Sequence, residues 1–169
     1  MNDLVKFVPN FIAQKDAIKL VEYAKLNDDL FLEFGNSEKE FTFHFNFLNN
    51  DIKQLIQKYQ RLVHDFVTNE YNITLKPYNE TKTHIARFTV GHGMHEHFDS
   101  SKPNDIATLL YLNDDYLGGE IYFPELDIFI KPGSGDLLCF PDTPSFVHGV
   151  KPILSGTRYT APYWFTRII

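Results

Sequence analysis

Along the chain, apolar residues first recur at helical spacing and then give way to short runs broken by turn residues. A short strand, LVKFV, stops at Pro9-Asn10. From about Ala13 to Leu26, the residues Ala17, Ile18, Val21 and Ala24, with Tyr23 beside them, form the apolar stripe of a helix. From Glu40 to Phe47 the pattern alternates strictly. Phe41, Phe43, Phe45 and Phe47 face one way, and Glu40, Thr42, His44 and Asn46 the other, as in a half-buried strand. A second helix is predicted over Asp51 to Asn69. There Ile52, Leu55, Ile56, Tyr59, Leu62, Val63 and Phe66 keep the i, i+3, i+4, i+7 spacing, and Asn49, Asn50 or Asp51 can cap it. His64 lies next to that stripe and reads as structural.

From Thr83 onward helical periodicity stops. The segments THIARFTV, MHEHFD, ATLLYLN, GEIYFP, LDIFIKP, GDLLCFP, VHGVKPI and TRYTAPYWF read as eight short strands, separated by GHG, SSKPND, DDYLGG, PGSG, PDTPS and LSG. Short strands at this spacing predict a sandwich or barrel, with a jelly roll among the leading options. Because the helices precede the strands, they are expected to pack on one outer face rather than alternate with them. The expectation is an α+β, mainly β chain forming one domain over residues 1–169. Residues 1–82 act as a support region of strand and helix, and 83–169 form the jelly-roll core.

Composition narrows this picture. The chain has 169 residues, sixteen Phe and nine Tyr, which suits strands. Its net charge of -6 leaves no basic stripe to neutralise phosphates, so no nucleic-acid partner is expected. The single cysteine, Cys139, cannot form an internal disulfide and fits a reducing, cytoplasmic setting. The N-terminal stretch MNDLVKFVPNF shows no signal-peptide core, and no apolar run is long enough to cross a membrane.

The candidate chemistry lies in GHGMHEHFDS. In an extended strand, side chains two apart share a face, so His97 and Asp99 project together as two-thirds of a 2-His-1-carboxylate iron site. Downstream of them the sequence has one histidine, His148 in SFVHGVKP, which is either an exposed turn residue or the third ligand. Arg158 follows, and a tight turn at Leu154-Ser155-Gly156 would set it on a strand antiparallel and adjacent to that of His148. There it could clamp a metal-bound dicarboxylate. Buried without an anion it would be costly, so it is either exposed or paired. Arg158, Thr160 and Trp164 share strand parity. Trp164 reads equally as pocket lining or as core.

These residues resemble the Fe(II)/2-oxoglutarate-dependent dioxygenases, specifically the prolyl 4-hydroxylase-like branch. FVPNFIAQKDAIKLVEYA looks like the branch's opening strand and helix, and RFTVGHGMHEHFDS like its approach to H-x-D. TLLYLNDDYLGGEIYFPE and GDLLCFPDTPSFVHGVKPILSGTRYTAPYWF resemble its YLN…GG…F segment and its closing H-G-V-x-P, G-x-R and W block. The resemblance implies a double-stranded β-helix with Fe(II) held by His97, Asp99 and His148. It implies 2-oxoglutarate and O2 as co-substrates, with ascorbate as a further cofactor. Arg158 and Tyr111 would bind the distal carboxylate, while Thr160 and Trp164 would line the pocket. Asp99 favours hydroxylation, because a small residue there would open a halide site as in the related halogenases.

Three departures stand out. Phe88 occupies a place where the branch often has Tyr. Arg158 replaces the Lys of the animal collagen-modifying enzymes. Pro162 inside the last strand implies a bulge or an edge position.

Other readings are weighed against this one. His95-Glu96-His97 could be the H-x-H of a cupin binding another divalent metal, but Ser100, Ser101 and Lys102 stand where a glutamate is wanted, and Arg158 would have no role. His95 then packs behind a ligand or faces solvent, and His84 and His92 are surface or packing residues. A silent jelly-roll binding module predicts no iron and no succinate, and a DNA-repair dioxygenase conflicts with the acidic charge. The expected substrate is a prolyl residue in a peptide or protein, with a free amino acid or small metabolite as the alternative. Leu30 to Phe47 and the loop Asp99 to Asp105 are the expected substrate-facing parts.

Overall fold

The computed structural model describes residues 3–34, 40–44, 49–80, 84–99 and 105–168, with the side chains of 32–48, Glu80 and Asp105 left out. The facing expected for Phe41 to Phe47, and most of both segments expected to meet substrate, therefore lie outside the described residues. The chain order is β1 (Lys6–Val8), α1 (Gln14–Leu26), β2 (Leu32–Phe34), β3 (Glu40–His44), α2 (Asn50–Glu70), β4 (His84–Phe88), β5 (Met94–His97) and β6 (Asp105–Tyr111). It continues with β7 (Leu117–Gly118), β8 (Ile121–Phe123), β9 (Ile128–Ile130), β10 (Leu137–Asp142), β11 (His148–Val150), β12 (Ile153–Ser155) and β13 (Arg158–Thr166).

The strands form a seven-stranded sheet in the order β1-β10-β6-β13-β4-β3-β2 and a four-stranded sheet in the order β5-β11-β8-β9, with β12 and β7 as a separate pair. All named pairings are antiparallel. The result is the mainly β jelly roll expected from the strand spacing.

Both helices pack on one face of the larger sheet. α1 turns Ala17, Leu20, Val21 and Ala24 inward, so its buried stripe includes Leu20 and leaves Ile18 47% exposed. α2 buries Ile52, Ile56, Tyr59, Gln60, Val63 and Val67, while Leu62 faces out. Of the three candidate caps, Asn49 is the one used, its side chain accepting from the backbone N–H of Ile52 at 2.9 Å. These residues share one core cluster with Ile85, Leu110, Leu137, Ala161 and Phe165 from the sheet. His64 belongs to this layer. Its Nε2 lies 3.0 Å from the Lys76 carbonyl and its ring meets Phe165 edge-on.

Two expectations about strands change. His148 and Arg158 are not on adjacent strands. β11 pairs with β5 and β8 in the smaller sheet, whereas β13 pairs with β4 and β6 in the larger. The intervening chain does not form a hairpin, because Ile153–Ser155 pairs with β7 instead. β13 also runs unbroken through Pro162. Its pairing with β4 stops at Thr160 while that with β6 continues to Thr166, so the proline falls where one side of the strand has no recorded pair.

Candidate active site

β5 and β11 place His97 directly opposite His148 in register, with ring centroids 4.5 Å apart. β5 ends at His97, so strand alternation does not hold Asp99 in place. Two hydrogen bonds do. The Asp99 backbone N–H donates to Asp142 Oδ1 at 2.8 Å, and Trp164 Nε1 donates to Asp99 Oδ2 at 2.7 Å. The carboxylate then lies 3.1 Å from His97 Nε2 and 4.0 Å from His148 Nε2. One ligating atom from each of His97, Asp99 and His148 falls within 4.8 Å of the others.

Each imidazole is oriented from behind. His97 Nδ1 lies 2.7 Å from the His95 carbonyl and His148 Nδ1 lies 3.1 Å from the Phe146 carbonyl. A carbonyl only accepts, so each Nδ1 carries a proton and Nε2 is the atom that could ligate a metal. A lone pair on His97 Nε2 so close to a carboxylate oxygen is repulsive unless a cation or a proton lies between them. Two imidazoles and one carboxylate around a single point suit Fe(II). Phe140 and Phe123 pack against the His148 ring, with centroids at 4.7 and 5.7 Å, and lock it deep in the site. His97 and Asp99, with side chains 27% and 21% exposed, face solvent.

The charge states agree with this role. Burial pushes the His148 imidazole below its ordinary value, more strongly than the Asp99 charge raises it, which favours the neutral ligand. Burial works to raise the Asp99 carboxyl, but a proton on His97 Nε2, standing where the cation would, and the hydrogen bond from Trp164 outweigh it and hold the group below the usual carboxylate range.

Arg158 is 3% exposed and donates to the hydroxyl of Tyr111, itself fully buried, at 3.3 Å. Its guanidinium carbon sits 5.0 Å from the ring centres of both Tyr111 and Phe88. Phe88 faces it in register across β13 and β4. The ring that replaces the usual Tyr therefore forms a cation–π wall. Phe88 packs with Val150, Ile153, Tyr116 and Met94. Val150 and Met94 belong to the strands that carry His148 and His97, so both subsites share the same walls.

The remaining candidates divide. Trp164 donates to the Asp99 carboxylate and stacks on His84 at 5.7 Å, so it stands behind the candidate ligands. Thr160 is buried and lies opposite Tyr111 in register. His95 is exposed and serves through its carbonyl. Sequence reasoning missed Asp142 and Tyr116. Asp142, in the turn-rich PDTPS, had no motif to announce it, and Tyr116 sits in the DDYLGG stretch read only as a break.

Residues 83–166 match the family model described as the 2OG-Fe(II) oxygenase superfamily. Human prolyl 3-hydroxylase 2 is 40% identical over 67 residues, which cover 37% of this chain and 10% of that protein. The chain thus spans about a tenth of the length of the curated relatives it matches. Among solved structures, a prolyl-4-hydroxylase from Pseudomonas putida superposes with a TM-score of 0.79 at 16% identity, covering 98% of this chain and 94% of that one. The viral collagen prolyl hydroxylase of Paramecium Bursaria Chlorella virus-1, in complex with 2OG, gives 0.74 at 20% identity, covering 98% and 97%. Both share the fold.

Proposed function

The chain belongs to the 2OG-Fe(II) oxygenase superfamily through residues 83–166, and from that premise we propose that it hydroxylates prolyl residues in a peptide or protein. The reaction converts a substrate C–H, O2 and 2-oxoglutarate into the substrate C–OH, succinate and CO2. The observation that carries this reading is the compact His97–Asp99–His148 donor set backed by the buried Arg158–Tyr111 pair.

Bound to the donor set, Fe(II) would supply the O2 and one-electron chemistry that no side chain provides. The chain's own residues bind and orient. His97 and His148 offer neutral Nε2 atoms, and Asp99 adds one negative charge fixed in direction by Trp164. Arg158 brings a buried guanidinium whose desolvation is offset once an anion lies beside it. The co-substrate carboxylate is that anion. Phe123 and Phe140 exclude water from the His148 side.

The prolyl substrate is supported by the prolyl 3-hydroxylase match and the two prolyl hydroxylase structures. A groove of about 590 Å³ beside β5, lined in part by Met94, His95, Tyr122 and Lys151, offers a peptide room near the ligands.

Anaerobic addition of Fe(II) and 2-oxoglutarate should produce a weak visible charge-transfer band. His97→Ala should abolish it and His95→Ala should retain it; the opposite pattern would point to a cupin. Pro-rich peptides incubated with O2 and ascorbate should then gain the mass of one oxygen atom. A free amino acid oxidised while those peptides stay unchanged would overturn the substrate class but not the chemistry.

A further inference from the structure

Tyr116 follows Asn113-Asp114-Asp115 in the turn between β6 and β7. Its ring packs with Phe88, Val150 and Ile153, and it is 3% exposed. Lys131 fastens it from outside, donating Nζ to the Tyr116 carbonyl at 2.9 Å with the ammonium 5.2 Å from the ring centre. Despite this burial its hydroxyl proton has no acceptor within hydrogen-bond reach among the described residues. Nor does the Nε of Arg158, a residue equally buried.

The two groups share one wall. At Gly119 (φ +70°), an added Cβ would lie 2.6 Å from Ile153 Cδ1, 3.0 Å from Tyr116 Cε2 and 3.5 Å from Arg158 Cδ. Only a glycine lets the chain pass there. Burial pushes the Tyr116 phenol well above its ordinary value, and Arg158, through its charge and as a donor toward the phenol oxygen, lowers it only in part; a guanidinium has no lone pair, so the hydroxyl keeps its proton and that proton still needs an acceptor. A buried O–H and a buried N–H with no acceptor are each costly. Only an acceptor matches both, and a carboxylate offers about four lone-pair sites.

We propose that the Tyr116 hydroxyl is a third donor, beside Arg158 and Tyr111, to the distal carboxylate of 2-oxoglutarate, and that it sharpens selection for a dicarboxylate. This rests on the function proposed above.

The test is equilibrium binding to the Fe(II)-loaded protein without oxygen, using 2-oxoglutarate and 2-oxobutyrate, which lacks the distal carboxylate. Tyr116→Phe should weaken 2-oxoglutarate roughly 10- to 100-fold, as expected for a lost hydrogen bond to a charged group, and leave 2-oxobutyrate unchanged. The ligand-free variant should melt at or above the wild-type temperature, because the hydroxyl it loses carries a buried proton with no acceptor. Equal weakening of both ligands, no weakening of either, or a lower melting temperature would overturn the role of Tyr116. Wild-type protein that binds 2-oxoglutarate no better than 2-oxobutyrate would bring down the functional reading itself.

Discussion

Asp99 shows how much of a candidate metal site lies behind its would-be ligands. Its carboxylate is aimed by Trp164 Nε1 and its backbone by Asp142. Residues that orient ligands commonly contribute 10- to 100-fold to metal affinity. Trp164→Phe keeps the ring against His84 but removes the donor. It should weaken Fe(II) binding about 10-fold, read by anaerobic metal titration, with the melting temperature little changed. Asp142→Ala should do the same through the backbone, and Asp142→Asn, which keeps an acceptor oxygen, should recover most of the loss. Unchanged affinity in both Trp164→Phe and Asp142→Ala would mean that the chain beyond β5 is held by other contacts.

At the scale of elements, the start of α1 is tied to α2 through Tyr59. The Tyr59 hydroxyl accepts from the Ala13 N–H at 3.2 Å and donates to Asp16 at 2.7 Å, while Lys58 reaches the same carboxylate at 3.0 Å. The Tyr59 hydrogen bond, with the Lys58 charge, holds Asp16 below the usual carboxylate range. A group with a depressed folded-state pKa adds stability that is present above its unfolded pKa and lost as pH falls through the folded one. The urea midpoint of the wild type should therefore fall below about pH 4 by more than that of Asp16→Asn, the two curves converging in acid. Parallel curves would remove Asp16 from the joint. At the far end of the same pair, Asn49→Ala should cost about 1 kcal/mol by chemical denaturation, the usual value of a lost N-cap.

For the molecule as a whole, the helices and the jelly roll share a single apolar cluster in which Ile56 of α2 is fully buried with Leu110 of β6 and Phe165 of β13. Ile56→Ala should cost about 2–5 kcal/mol. That loss should appear as one cooperative transition, with helix signal and Trp164 fluorescence changing together. Two separate transitions would show that residues 1–82 and 83–169 unfold independently. Residues 83–169 alone should fail to give a cooperative transition, since the sheet face covered by α1 and α2 would be open to water.

The elements themselves were legible because local rules govern them. Apolar spacing located both helices and most of the strands, though β2 had no strand reading and β7 fell in DDYLGG, taken as a break; H-x-D with a downstream histidine and arginine marked His97, Asp99, His148 and Arg158 as candidates. The errors arose where a long-range contact decided the outcome. Which sheet receives β11 depends on pairing energies with β5 and β8, so the expected hairpin joining His148 to Arg158 does not form. Leu20 and Val67 enter the core, and Ile18 and Leu62 do not, because the sheet selects which part of an apolar stripe it covers. The position of Asp99 comes from Asp142 and Trp164, which lie 43 and 65 residues away in sequence. The unmatched hydroxyl of Tyr116 has no sequence signature, since a missing partner exists only once every neighbour has been placed. Periodicity and residue type thus determined the helices, most strands and the candidate ligand types. Tertiary packing alone decided how the ligands are aimed and which buried donors await an acceptor.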